Sequence, residues 1–304
     1  MKKAIAASIV LLVLCGGIVA GMDTYLRVGS WFYVPDFTAD DIKFQINPFI
    51  RFGFEQDDLD GFVEGSAVYV TPDSFDIRAQ ARANYEFSPE AMKFTEDSEY
   101  TASVGLSYTG THLYTDISLK WLFLDDLEVT EIEDKYSRYP DKWEGARFYA
   151  TKRFNPEIIN ITSDFADPSF DFRGALFAGV DYGVVFSDQL WMTNTTHVDV
   201  PNYYFTKDYY SIGTRLNNYT NVYYMMMEEM VLFGNLNLHA GPNHLIAKDN
   251  VFKNISFDIN YTLNLGVNYY YDDFTFAGQV QVYGNNDDFL SGLGLHLGVA
   301  YQLF

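Results

Sequence analysis

From Ile255 to Tyr271 the chain alternates without a break for seventeen residues. Ile255, Phe257, Ile259, Tyr261, Leu263, Leu265, Val267, Tyr269 and Tyr271 fall on one face of an extended strand. Ser256, Asp258, Asn260, Thr262, Asn264, Gly266 and Asn268 fall on the other. Ordinary strands run five or six residues. A ribbon this long, apolar on one side and charged or amidic on the other, needs a hydrophobic medium on one face and water on the other.

The same pattern recurs along the chain. Ile42, Phe44, Ile46, Ile50, Phe52 and Phe54 alternate with Lys43, Gln45, Asn47, Arg51 and Gly53. Phe75, Ile77, Ala79, Ala81, Ala83, Tyr85 and Phe87 alternate with Asp76, Arg78, Gln80, Arg82, Asn84 and Glu86. Tyr100, Ala102, Val104, Leu106 and Tyr108 interleave with Thr101, Ser103, Gly105 and Ser107. After Gly110-Thr111, Leu113, Ile117, Leu119, Trp121 and Phe123 interleave with Tyr114, Asp116, Ser118 and Lys120. A soluble sandwich also alternates, with its polar face outward. Strand length and the aromatics gathered at strand ends, as at Tyr85, Phe87, Tyr269 and Tyr271, favour membrane-crossing strands instead.

A chain this polar crosses a bilayer only as a closed barrel, where every backbone group is satisfied between strands. No apolar run after residue 21 is long enough for a spanning helix. Residues 1–21 have the layout of a secretory signal peptide: Lys2 and Lys3, an apolar run to about Ala20, then small residues before Asp23. The run is short for a membrane anchor. Cys15 lacks the small preceding residue of a lipoprotein site. Cys15 is the chain's one Cys, so cleavage removes thiolate chemistry altogether. Without the two leader lysines the net charge moves from −21 to −23, which argues against a nucleic-acid partner.

The terminal SGLGLHLGVAYQLF sets Leu293, Leu295, Leu297, Val299, Tyr301 and Leu303 against Gly294, His296, Gly298, Ala300 and Gln302, and ends on Phe304. It resembles the closing strand of bacterial outer-membrane β-barrels, although Phe304 lies out of phase with Tyr301. The resemblance implies an integral outer-membrane location, contact with lipid and lipopolysaccharide, and an assembly signal in Tyr301 and Phe304 read by the barrel-assembly machinery. The expected fold is therefore all-β: a closed antiparallel transmembrane barrel over residues 40–304, of about fourteen strands with twelve to sixteen allowed. This count treats 156–165 as a strand. It leaves 22–39 as an extra strand, plug or periplasmic piece. Tight turns at Asp272-Asp273, Ser187-Asp188, Asn155-Pro156, Gly110-Thr111 and Pro72-Asp73, with a connection near 217–221, are expected on the periplasmic side. Segments 88–98, 125–142, 240–250 and 285–290 are expected outside. YYMMMEEM at 223–230 breaks alternation and reads as a helical turn or an inward-folded loop.

Candidate pore-lining residues are Arg51, Arg78, Arg82, Lys120, Arg147, Arg153 and Arg173, with Asp116 and Asp181 as carboxylates that could pair with them. Unpaired cations in a low-dielectric wall would select anions; paired ones would only brace the lumen. Inward Tyr114 and Tyr149 offer a stacking track for sugars or simple filler. No cofactor motif, catalytic residue or metal site is visible. The five His are dispersed, no compact Ser/His motif surrounds any of them, and QDDLDG at 56–61 lacks the Glu of a calcium loop. His239 and His244, expected in one outer loop, lack a third ligand for zinc. The expected function is a porin-like channel for passive diffusion of small hydrophilic solutes, anionic ones included, through a charged lumen. The alternative is a non-conducting structural or adhesive barrel with acidic surface loops.

Overall fold

The computed structural model describes residues 23–34, 45–70, 74–109, 112–130, 140–159, 169–205, 209–247 and 252–302, with only the backbone at several strand ends. The expected leader, the segment 131–139 and Phe304 lie outside the described residues. The described chain is almost wholly strand. In order the strands are β1 (Asp23–Val34), β2 (Gln45–Gln56), β3 (Leu59–Val70), β4 (Ser74–Phe87), β5 (Glu99–Thr109), β6 (His112–Thr130), β7 (Lys142–Ile159), β8 (Ser169–Ser187), β9 (Leu190–Phe205), β10 (Tyr209–Met227), β11 (Met230–Ala247), β12 (Phe252–Tyr271), β13 (Phe274–Asn285) and β14 (Gly292–Gln302). A short 3₁₀ turn at Glu90–Met92 lies between β4 and β5.

Each strand pairs antiparallel with its neighbours in sequence, and β1 closes the ring on β14 from Tyr25↔Gln302 to Val34↔Leu293. The result is a closed barrel of fourteen strands. Closure leaves no strand edge unpaired, which is the condition for a β-structure to stand in hydrocarbon. At about 3.3 Å per residue and a tilt near 40°, even the eleven-residue β5 spans the ~25 Å apolar band of such barrels.

The count is fourteen, but its members differ from those expected. DTYLRVGSWFYV is β1, so the barrel starts at Asp23 rather than at residue 40. Asn155-Pro156 is no turn: both residues lie inside β7, opposite Arg173 and Phe172. Proline costs a ladder hydrogen bond, and side chains bridge the gap. Thr115 Oγ1 donates to the Pro156 carbonyl at 2.9 Å, and Asn155 Nδ2 to the Thr115 carbonyl at 3.3 Å. The separate strand at 156–165 therefore disappears into β7, and 160–168 lies outside the described residues. Residues 217–221 sit inside β10, and the true β10–β11 turn is Glu228-Glu229. The irregular YYMMMEEM is a β-bulge between Met225 and Met227 followed by that turn, neither a helix nor a folded-in loop.

These shifts reverse part of the expected sidedness. The end carrying Asp23 and Gln302 also carries turns 57–58, 188–189, 228–229 and 272–273, together with the connections 88–98 and 131–141. The opposite end carries connections 71–73, 110–111, 248–251 and 286–291. Segment 88–98, expected outside, shares the termini's end, and of the expected outer segment 125–142 residues 125–130 belong to β6. The turns at 71–73 and 110–111, expected beside the termini, lie opposite.

The outer surface is apolar. Val28, Ile50, Val104, Leu106, Ile117, Leu176, Leu236, Leu265 and Leu297 are exposed along it. Exposed aromatics ring both ends: Tyr85, Phe186, Tyr224, Tyr271 and Phe274 near the termini, and Phe32, Tyr69, Phe75 and Phe257 at the other. Amphipathic rings at two levels are the interfacial girdles of a membrane-spanning barrel. Tyr301 belongs to the first girdle and packs 4.8 Å from the Phe274 ring.

Candidate functional site: the barrel lumen

The inward faces form a hydrogen-bonded polar lining. Arg51 Nε donates to Glu64 Oε2 at 2.7 Å, and Gln80 Nε2 to Glu64 Oε1 at 2.8 Å, so one carboxylate ties β2, β3 and β4. Across β6–β9, Asp181 accepts from Arg147 Nε at 3.1 Å and from Thr195 Oγ1 at 2.7 Å, with Lys120 Nζ at 3.8 Å. Lys120 also lies 4.3 Å over the Tyr149 ring. Asp181 is 9% exposed against 33% and 36% for its two cations, so the anion sits in the wall and the cations reach into the lumen. Arg153 Nε stands 3.4 Å from Asp116 Oδ1, and Arg78 3.9 Å from Asp76.

Cross-strand pairing therefore involves four of the expected pore-lining cations, Arg51, Lys120, Arg147 and Arg153, while Arg78 meets Asp76 of its own strand. Arg82 instead donates to Asn84 Oδ1 at 3.1 Å and has no carboxylate within 4 Å among the described residues. The Arg173 side chain lies outside the described residues. Lys120, Arg147 and Asp181 are brought together; Arg51, Arg78 and Arg82 stand apart from them, on β2 and β4. Tyr149 is buried at 4% exposure beneath Lys120, so it is wall filler, whereas Tyr114 lines the lumen.

Another arc, β9–β12, is lined by neutral amides. Thr193, Asn221, Asn235 and Asn264 are in direct cross-strand register. Asn221 donates to Thr193, Asn235 to Asn221, and Asn264 Nδ2 to Asn235 Oδ1 at 2.9 Å. Above this ladder, His239 Nδ1 pairs with Asn217 Oδ1 at 2.6 Å, so His239 belongs to the lumen wall of β11 and to no outer loop. His197 lies 3.5 Å from Asp199 and stacks between Phe177 and Tyr219. The His244 side chain lies outside the described residues.

Cavities of about 660, 460 and 680 Å³ follow one another inside the barrel. The first and second share Ser107 and Tyr114; the first and third share Arg27, Trp31 and His296. Toward the termini the inward faces of β9, β11 and β12 carry a buried apolar cluster of Trp191, Val231 and Tyr270, with Trp191 Nε1 donating to the Asp141 carbonyl at 3.1 Å.

Sequence reading did not single out Arg27 and Trp31. Their signal was present: Leu26, Val28 and Phe32 alternate with Arg27, Gly29 and Trp31. Arg215, on β10, was missed as well; like Arg27 it has no carboxylate within 4 Å among the described residues.

Closure, an apolar girdled exterior and a hydrogen-bonded polar interior define an integral β-barrel of the bacterial outer-membrane kind. No family model matches the chain, and no curated protein matches it in sequence. Solved structures of similar architecture include a loop L8 deletion mutant of OmpT, an outer membrane protein of Vibrio cholerae (9% identity, 93% of this chain and 99% of that one, TM-score 0.45). The KdgM porin in complex with disordered oligogalacturonate aligns at 9% identity over 91% and 99%, with TM-score 0.37. The translocator domain of the autotransporter NalP from Neisseria meningitidis aligns at 10% identity over 99% and 96%, with TM-score 0.34.

Proposed function

We propose that this barrel is a passive channel for small hydrophilic solutes, with a preference for anions. The succession of polar-lined cavities joined by shared residues carries the reading. An interior of ion pairs and amide ladders is stable when wet, whereas a dry core would be apolar. Arg27, Arg82 and Arg215 supply guanidinium charge that no described carboxylate compensates within 4 Å, which supports anion preference. Lipid and lipopolysaccharide surround the girdled wall, and the barrel-assembly machinery reads a signal in Tyr301 and Phe304.

The adhesive alternative loses much of its footing. Two acidic pairs, Asp57-Asp58 and Glu96-Asp97, lie at the termini's end, and only Asp287-Asp288 among the described acidic turns lies opposite. Planar-bilayer recording of the purified protein tests the channel. Stable unitary openings with a reversal potential favouring chloride are expected; a folded, heat-modifiable barrel that stays silent would refute it.

A further inference from the structure

We propose that Arg27, Trp31 and His296 form a binding subsite for an acidic sugar, a pyranose-sized ring bearing a carboxylate. The proposal rests on the channel reading and adds a solute class to it. Arg27 stands directly opposite Arg51 in the β1–β2 register. Like charges directly opposite repel. Arg51 has its counter-charge in Glu64, whose second oxygen is already taken by Gln80. Arg27 has none within 4 Å among the described residues; it rests 5.4 Å over the Tyr25 ring and is exposed to the lumen. An anion arriving from the lumen is what this pair of guanidiniums lacks.

An aromatic wall lies beside that charge. Trp31 stacks on His296 with ring centroids 4.2 Å apart, and Phe49 lies 5.8 Å from the same imidazole. Two glycines make the wall possible. A Cβ on Gly29, between Arg27 and Trp31, would lie 2.7 Å from the Phe49 ring, and one on its register partner Gly298 3.0 Å from His296. His296 Nε2 is buried without a hydrogen-bond partner. Asn47, Ser66 and Gln80 line the same 660 Å³ cavity with groups suited to hydroxyls.

The chemistry selects the ligand. Guanidinium binds carboxylate through two parallel N–H donors. The apolar face of a sugar ring packs on the indole, and the amides take the hydroxyls. A neutral hexose lacks the charge; acetate and inorganic phosphate lack the ring. Trp31 and His296 line both the first and the third cavity, so a solute passing between the two meets the subsite.

The test is equilibrium dialysis of the full-length protein, folded in detergent, against labelled glucuronate, glucose, acetate and inorganic phosphate. Glucuronate is expected to bind at least tenfold more tightly than the other three. Arg27→Gln is expected to weaken it roughly tenfold, in line with the loss of hydrogen bonds to a charged group, and Trp31→Ala to weaken it severalfold through the lost stacking face. Arg27→Lys is expected to retain part of the affinity. Trp31→Phe, which keeps an aromatic face, covers the case in which Trp31→Ala fails to fold. Equal binding of glucose and glucuronate, or undiminished binding by folded Arg27→Gln, overturns the subsite. Parallel bilayer recordings separate the two claims. A barrel that conducts while glucuronate neither binds nor blocks overturns the subsite and leaves the channel; binding without conductance supports the subsite and overturns the channel.

Discussion

Asp181→Asn probes the lumen where its charges are most tightly coupled. The carboxylate is 9% exposed and takes Arg147 Nε at 3.1 Å and Thr195 Oγ1 at 2.7 Å, with Lys120 Nζ at 3.8 Å. The amide keeps the shape and can still accept from Thr195, so the loss is confined to charge. A hydrogen bond to a charged group contributes about 1.5–3 kcal/mol. The longer Lys120 contact, to a partly hydrated ammonium, adds about 0.5–1 kcal/mol. Both cations are about a third exposed and regain some hydration, which trims the sum to about 2–3 kcal/mol, below the ~3–5 kcal/mol for stripping one partner from a fully buried pair. Urea unfolding in detergent, followed by tryptophan fluorescence, measures it. Arg147→Met alone should cost less, and the double variant should recover about 1 kcal/mol or more of coupling. The same Asp181→Asn protein should show a reversal potential shifted further toward chloride. A cost below about 0.5 kcal/mol with strict additivity would refute the view that Asp181 organises this wall.

Other outcomes follow from the same geometry. Arg82→Gln removes a cation with no described carboxylate partner, so it should leave the unfolding free energy within about 0.5 kcal/mol of wild type while lowering chloride preference in bilayers. Gly145→Ala should destabilise by at least about 1–3 kcal/mol, because Gly145 has φ +118° and an added Cβ would lie 1.9 Å from the Asp126 carbonyl oxygen; an unchanged unfolding curve would contradict this. Asn194→Leu should cost about 1–3 kcal/mol by stranding its polar neighbours, whereas replacing Asn194, Thr196, Asn218 and Thr220 together by apolar residues should cost far less. Cysteines placed at Asp57 and Asp188 should resist a membrane-impermeant maleimide on intact cells while one at Asp287 reacts; the reverse pattern would overturn the assigned sidedness.

The long alternating runs were legible because burial against lipid leaves a period of two in the sequence itself. β12 and β14 stand where alternation put them, and Phe75 to Phe87 falls in β4. Asn155-Pro156 and 217–221 misled because proline and asparagine favour turns in most settings. Inside a barrel wall the same residues have other partners: Asn217 meets His239, Asn221 meets Asn235, and Thr115 bridges to Pro156. β1 was readable as a strand but was left unplaced, since a spurious strand at 156–165 had already filled the even count. Charges of the lumen could be named from sequence; their partners could not. Arg147 and Asp181 lie 34 positions apart, and only the register of β7 on β8 sets them opposite each other.

The outer wall shows why alternation alone does not define a lipid face. Asn194, Thr196, Asn218 and Thr220 occupy outward positions of β9 and β10, among exposed Val198, Leu216 and Val222. Four polar side chains facing hydrocarbon would be costly if each sought a partner there. Here they close on themselves. Thr220 Oγ1 donates to Asn218 Oδ1 at 2.9 Å, and Asn218 Nδ2 to Thr196 Oγ1 at 2.7 Å. Thr196 Oγ1 donates to Asn194 Oδ1 at 2.7 Å, and Asn194 Nδ2 back to Thr220 Oγ1 at 2.7 Å. Each hydroxyl both gives and receives, so the ring presents little unmet hydrogen-bonding capacity to lipid, and Asn194 is 2% exposed. The lumen answers the same demand with ion pairs and amide ladders, where water is within reach. This outward patch is thus satisfied within the wall by neutral amides and hydroxyls alone, whereas the lumen beside it uses guanidiniums and carboxylates as well.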